Sequence, residues 1–273
     1  QLKLKKITPC IITRGYKRKS NKLVVIDKDK SNYTVEEIGD EPLMILKKNK
    51  DVQMVVYNDK IKAIQTAIKN LNIDVIILDD GFQSLYIDRD LDLVMINAKM
   101  PRYKYNLFPG GDGREPITGL GRADAIITTR GEINFYIRDV CLQNSINIFQ
   151  ANESFSIIGE NGNIINNYEN LRVIAVCGIS DPEFFFTSLN NYKINVAAKL
   201  ILQDHYNYTP NDMGNIYQNM RKNNCNTIIT TWKDYEKINQ LNLNNEKIII
   251  LDMKLEIKEN TILPIIDEVL GEN

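Results

Sequence analysis

Apolar residues occur along this chain either as short unbroken runs or at helical spacing, and the two patterns alternate. Val75 to Leu78 is an unbroken run rich in β-branched residues, which predicts a parallel strand buried on both faces and central to its sheet. Cys10 to Thr13, Leu23 to Asp27, Val52 to Tyr57, Leu91 to Asn97 and Ala123 to Thr129 read as further strands. Lys60 to Asn70 is predicted as a helix, because Ile61, Ile64, Ala67, Ile68 and Leu71 recur at helical spacing. Pro42 suits the first turn of a helix running through Leu43 to Lys48. Leu2 to Lys6 reads as the tail of a helix.

The alternation breaks at Ile148 to Asn167, where two short apolar segments flank Gly159-Glu160-Asn161-Gly162-Asn163 and predict a hairpin. A second α/β set follows. Its strands are Arg172 to Cys177, Ile194 to Leu202, Thr227 to Thr231 and Lys247 to Asp252. Helices are expected from Asp181-Pro182, over Asn211 to Asn223, after Trp232, and over Leu263 to Leu270. The expected class is α/β, with two α/β/α domains of mostly parallel sheet joined by a β-hairpin linker. The boundaries are 1–147, 148–168 and 169–273.

Composition narrows the classes. The chain is 43% hydrophobic and 25% charged, as globular proteins are. Lys and Arg number 34 against 35 Asp and Glu, so no bulk charge calls for a nucleic-acid partner and any basic site must be local. Cys10, Cys141, Cys177 and Cys225 form no CxxC pair and read as buried free thiols in a reducing compartment. No apolar run reaches the roughly 18 residues of a membrane span, and no signal peptide is present. The chain starts at Gln1 with a pattern already under way, so its N-terminus is expected further upstream.

The chemistry gathers at the ends of the predicted strands. Asp79 and Asp80 follow Leu78 directly, at the carboxyl end where open α/β sheets bind ligands. They can share a Mg²⁺ with phosphates, or act only as a cap and a turn. Asp40-Glu41 and Glu115 add acidic positions, and Arg14, Arg114 and Lys233 could neutralise phosphate charge. Lys17, Arg18 and Lys19 read as a solvated loop or as an anion contact. His205 is the only histidine, too few for a multi-His zinc site, and it reads either as structural or as a general base beside a carboxylate. Gly110-Gly111-Asp112-Gly113 is glycine-rich, but no G-x-x-x-x-G-K-[ST] occurs.

In chain order, RGYKRKS at Arg14, GDEP at Gly39, ILDDGFQ at Ile77, RD at Arg89, FPGGDGREP at Phe108, GRADAIITT at Gly121, CGISDPEFF at Cys177, DHYNYTP at Asp204 and TTWKDYEK at Thr230 resemble the tetraacyldisaccharide 4'-kinase family. The resemblance implies ATP-dependent phosphorylation of the 4'-hydroxyl of a lipid A disaccharide precursor. The expected location is the cytoplasmic face of the inner membrane of a Gram-negative bacterium, with no nucleic-acid partner. It also implies a P-loop kinase-like first domain and an active site in the cleft between the domains. Asp40 and His205 would be the catalytic pair. Glu41, Asp79 and Asp80 would form the Mg²⁺ shell.

Against the family pattern, the P-loop and the N-terminal membrane helix, which would meet the membrane surface, belong upstream of Cys10 and are absent from this sequence. The resemblance is therefore to a truncated member, expected neither to bind ATP tightly nor to turn over. Ser84 stands where the family has His, and Pro109-Gly110-Gly111 and Gly113 replace a less flexible loop. A non-catalytic relative that binds acylated sugar, and a phosphotransferase with a soluble substrate, remain as other readings.

Overall fold

A computed structural model describes residues 2, 5–27, 33–49, 51–168, 171–241, 247–257 and 259–271. In chain order the elements are β1 (Pro9–Thr13), β2 (Val24–Ile26), α1 (Val35–Ile38), α2 (Asp40–Lys48), β3 (Gln53–Val56), α3 (Lys60–Asn70), β4 (Val75–Leu78), β5 (Leu93–Asn97) and β6 (Ala125–Thr129). There follow α4 (Phe135–Gln143), β7 (Asn147–Gly159), β8 (Arg172–Cys177), α5 (Pro182–Asn191), β9 (Asn195–Ile201), α6 (Pro210–Lys222), β10 (Thr227–Thr230), α7 (Trp232–Asn239), β11 (Lys247–Ile257) and α8 (Glu259–Val269). The helix tail expected at Leu2 to Lys6 lies partly outside the described residues, and Leu2, Lys5 and Lys6 are in turns.

The chain divides into two compact units, one of residues 1–80 and 155–252, the other of 81–154 and 253–273. These divisions fall elsewhere than the expected ones, and β7 and β11 each have residues in both units. Where a hairpin was expected, β7 is one long strand with a tight turn at its end. There Ile158 bridges Ile164 antiparallel, and the Gly159 N–H donates to the Asn163 carbonyl at 2.9 Å.

The first unit holds a four-stranded sheet of order β2-β3-β1-β4, parallel except for β2 against β3. Successive side chains of a strand point to opposite faces. Met54 and Val56 therefore pack with Leu43 and Leu46 of α2, while Val55 packs with Ala63 and Ala67 of α3. The same unit holds the parallel strands β9, β8, β10 and the first half of β11. Along β8, Val173, Ala175 and Cys177 face α5, and Ile174 and Val176 face α6 and α7. Each such buried Ile or Val contributes about 1.5–3 kcal/mol. Burial pushes the Cys10 thiol up to about 11 and, with Asp234 nearby, the Cys177 thiol up to about 12, so both are unreactive.

The second unit carries β5, β6 and the start of β7 in parallel register. Ile133, Ile137 and Cys141 on and before α4 cover one face. Ile262 packs on Ile127 and Ala151.

One strand expectation needs correction. Although β4 has the expected bounds, it ends its sheet among the described residues, pairs with β1, and leaves Ile77 42% exposed. β5 likewise turns Leu93 and Met95 outward and buries Ile96. An apolar run fixes a strand's extent, but the position of that strand within the sheet decides how many faces are covered.

Candidate functional site

The site grows from the carboxyl end of β1. Thr13 is buried there, Arg14 is exposed, and Gly15 adopts φ +65°. A Cβ on Gly15 would lie 2.4 Å from the Ile38 carbonyl oxygen, and one on Gly39 would lie 3.2 Å from Gly15 Cα. These glycines let the loop after β1 close directly onto the start of α2. Tyr16 then sets its ring edge-on to the His205 imidazole, with centroids 5.3 Å apart.

Asp40 is the first residue of α2 and is buried, where the helix N-terminus favours a negative charge. One carboxylate oxygen, Oδ1, accepts from the Glu41 N–H at 2.9 Å. The other, Oδ2, lies 2.8 Å from His205 Nδ1 and 2.8 Å from Lys237 Nζ. Burial works against the charge on Asp40, but Lys237 and His205 outweigh it and hold the carboxyl below its ordinary range. An ionised carboxylate can only accept, so Nδ1–H of His205 donates to it, and in the neutral imidazole Nε2 is then the nitrogen with the lone pair. The His205 backbone is left-handed at φ +60°, and its N–H donates to the Gly178 carbonyl at 3.1 Å. That bond anchors the backbone that carries the imidazole.

Helix α7 supplies the basic side. Thr231 caps it by accepting from the Asp234 N–H. Lys233 and Lys237 stand one turn apart on the same face. Lys233 Nζ pairs with Glu41 Oε1, and Lys237 meets Asp40. Asp234 points the other way, accepting from the Gly178 N–H at 3.0 Å and from Thr231 Oγ1 at 2.8 Å. Burial pushes its carboxyl up, and Asp234, after burial, also pushes the Tyr208 hydroxyl up.

Asp79 follows β4, is exposed, and its Oδ2 accepts from Thr13 Oγ1 at 2.7 Å. Asp80 is left-handed at φ +50°, and its carbonyl accepts from the fully buried Lys60 side chain. The Thr13–Asp79 bond and the Gly15–Gly39 contact connect this turn to the dyad through the end of β1. Among the described residues no three His, Cys, Asp or Glu side chains gather as a metal group, and Glu41 is engaged by Lys233. Mg²⁺ needs no such cage, since it is commonly held by one or two carboxylates plus substrate phosphates. Asp79, exposed at a strand end with one oxygen engaged by a hydroxyl, fits that role.

The profile of the family described as Tetraacyldisaccharide-1-P 4'-kinase matches residues 1–271. The chain belongs to the tetraacyldisaccharide 4'-kinase family. The tetraacyldisaccharide 4'-kinase of Rickettsia typhi is 32% identical over 268 residues, 96% of this chain and 76% of its own length. That of Rickettsia canadensis is 31% identical over 268 residues, covering 96% and 75%. The crystal structure of LpxK from Aquifex aeolicus in complex with ATP superposes with a TM-score of 0.76 at 27% identity, covering 98% of this chain and 80% of that one. This chain is accordingly an enzyme of lipid A synthesis, a kinase of the tetraacyldisaccharide 4' type.

The FPGGDGREP segment lies in the second unit, where hydrogen bonds draw it into a closed loop. Phe108 N–H donates to the Gly113 carbonyl at 3.2 Å, Gly113 N–H to the Asn106 carbonyl at 2.9 Å, and Lys104 pairs with Asp112 at 2.7 Å. Arg114 donates to Gln83 Oε1 at 3.3 Å, and Glu115 pairs with Arg122 at 2.8 Å. Ser84, at the family's His position, is buried, and its carbonyl accepts from Arg89 at 2.8 Å. Arg89 also forks onto Asp92 at 2.7 and 2.9 Å. Reading by sequence missed Lys237. The available signal was the i,i+4 spacing of Lys233 and Lys237, which puts both lysines on one face of α7.

Proposed function

We propose that the reaction this chain serves is transfer of the γ-phosphoryl group of ATP to the 4'-hydroxyl of a tetraacylated disaccharide 1-phosphate, with His205 as proton acceptor and Asp40 as its orienting carboxylate. The observation that carries this reading is the 2.8 Å Nδ1–Oδ2 contact between two nearly buried side chains 165 residues apart. With Nδ1–H committed to Asp40, Nε2 is the nitrogen able to take the hydroxyl proton. Arg14, Lys233 and Arg114 are the cations suited to phosphate oxygens. Asp79 and Asp80 are the carboxylates that would share Mg²⁺ with the ATP phosphates, and Glu41 would join them after releasing Lys233. When bound, Mg²⁺ neutralises charge that develops on the phosphates. An acylated acceptor partitions into membrane, which supports work at the cytoplasmic face of the inner membrane. Among the described residues no helix is long and apolar enough to cross one.

The test is transfer from labelled ATP to disaccharide 1-phosphate by the intact gene product. His205→Ala and Asp40→Asn are expected to lower transfer by about 10²–10⁴-fold, with circular dichroism unchanged. Full transfer by both variants overturns the dyad. Tight binding of the acylated sugar without any transfer makes the protein the non-catalytic relative instead.

A further inference from the structure

We propose that Lys237 is a positioning residue that keeps His205 neutral, and so able to accept a proton, by sharing the Asp40 carboxylate with it. The inference rests on reading His205 as the base, and it concerns a residue with no part in the chemistry drawn above. Its support is geometric. Lys237 Nζ and His205 Nδ1 approach the same oxygen at 2.8 Å each, so they are separated by no more than about twice that distance. The side chains of Asp40, Lys237 and His205 are 4%, 6% and 9% exposed. In so dry a setting the ammonium and the carboxylate balance each other. A proton on the imidazole would set a second cation close to the ammonium, and like charges disfavour one another. Without Lys237, the imidazole becomes the nearest counter-charge for a buried carboxylate, and protonation is favoured.

The other groups around the ring make that balance matter. From its own loop, Asp204 Oδ1 stands 3.9 Å from Nε2 and favours a positive ring. From the loop after β1 come the Tyr16 ring edge and Lys17, which sits 5.5 Å from the Tyr16 centroid. From α2 come Asp40 and, beside it, Glu41, which Lys233 already engages. Behind Gly178 lies Asp234. Carboxylates thus approach the imidazole from two elements. Lys237 is the cation placed on the shared oxygen of one of them.

His205 is the only histidine in the chain, so an isotope-labelled histidine gives a single imidazole signal, and its charge can be followed by NMR without substrate. The experiment titrates that signal in the parent chain and in Lys237→Met, Lys237→Gln and Lys237→Arg. In the Met and Gln variants the midpoint is expected to move up by about 1–3 pH units, the range for a charge lost within 4–6 Å. Lys237→Arg, which keeps the charge, is expected to stay nearer the parent. Gln retains a donor to Asp40, so it reads the charge even if Met folds poorly. An unmoved or lowered midpoint in a folded variant overturns the proposal. So does failure of both neutral variants to fold while Lys237→Arg folds, which would make Lys237 structural. In the transfer assay the acid limb of kcat moves to higher pH in Lys237→Gln, while KM for ATP stays put. If the midpoint moves but His205 proves dispensable for transfer, the functional reading falls and the charge coupling stands. If transfer needs His205 but the midpoint does not move, the Lys237 proposal alone falls.

Discussion

Asp40-Glu41 and Asp79-Asp80 look alike in sequence, two adjacent acids at the edge of a regular element, yet the fold treats them oppositely. The first pair opens a helix, faces α7, and is met acid by base, Asp40 by Lys237 and Glu41 by Lys233. The second pair follows an outer strand, is exposed, and is tied down by one hydroxyl on Asp79 and one lysine on the Asp80 carbonyl. Enclosed and paired, Asp40 holds the His205 imidazole and the Lys237 ammonium in fixed places. Asp79, exposed at a strand end with one oxygen on the Thr13 hydroxyl, can meet something that arrives from solution.

Substitutions separate the two pairs. The largest effect on stability is expected for Asp40→Asn, which strands the buried ammonium of Lys237 and should cost about 3–5 kcal/mol in urea unfolding. That loss depends on pH. Asp40 titrates below its ordinary range in the folded chain, so the unfolded chain binds the proton more readily. The stability advantage of the parent over Asp40→Asn should therefore be full above the ordinary carboxylate value near 4 and shrink as pH falls through the lowered one. An advantage that grows on acidification would reverse the assignment.

Lys60→Met comes next. It removes the buried donor to the Asp80 carbonyl, and about 1–3 kcal/mol is expected to be lost. Asp79→Asn should cost least, about 0.5–1.5 kcal/mol for one altered hydrogen bond to Thr13, yet it should depress phosphoryl transfer strongly. If Asp79→Asn proved as destabilising as Asp40→Asn and left transfer intact, the contrast between the two pairs would collapse.

Sequence pattern made some of this legible and hid the rest for identifiable reasons. The bounds of α3 and β4 follow from periodicity and from a sharp turn signal, both of which are local. The exposure of Ile77 depends on which strand stands beside β4, a long-range fact that an apolar run does not encode. The Asp40–His205 pair came from resemblance, since nothing in the spacing of residues 165 positions apart brings them together. Lys237 stayed hidden because a charged residue on a polar helix normally reads as solvated. On α7 the opposite holds, with Asp234, Glu236 and Lys237 all buried. Burial raises Glu236 against the pull of Lys47, a sign of how far this helix departs from an ordinary surface one.

The contact between Gly15 and Gly39 has a genetic corollary. Neither position offers a functional group, yet a single added methyl at Gly15 would strike the Ile38 carbonyl and lift the Tyr16 ring off the imidazole. In a saturation screen for growth, both sites should behave like essential chemistry while contributing nothing but hydrogen atoms.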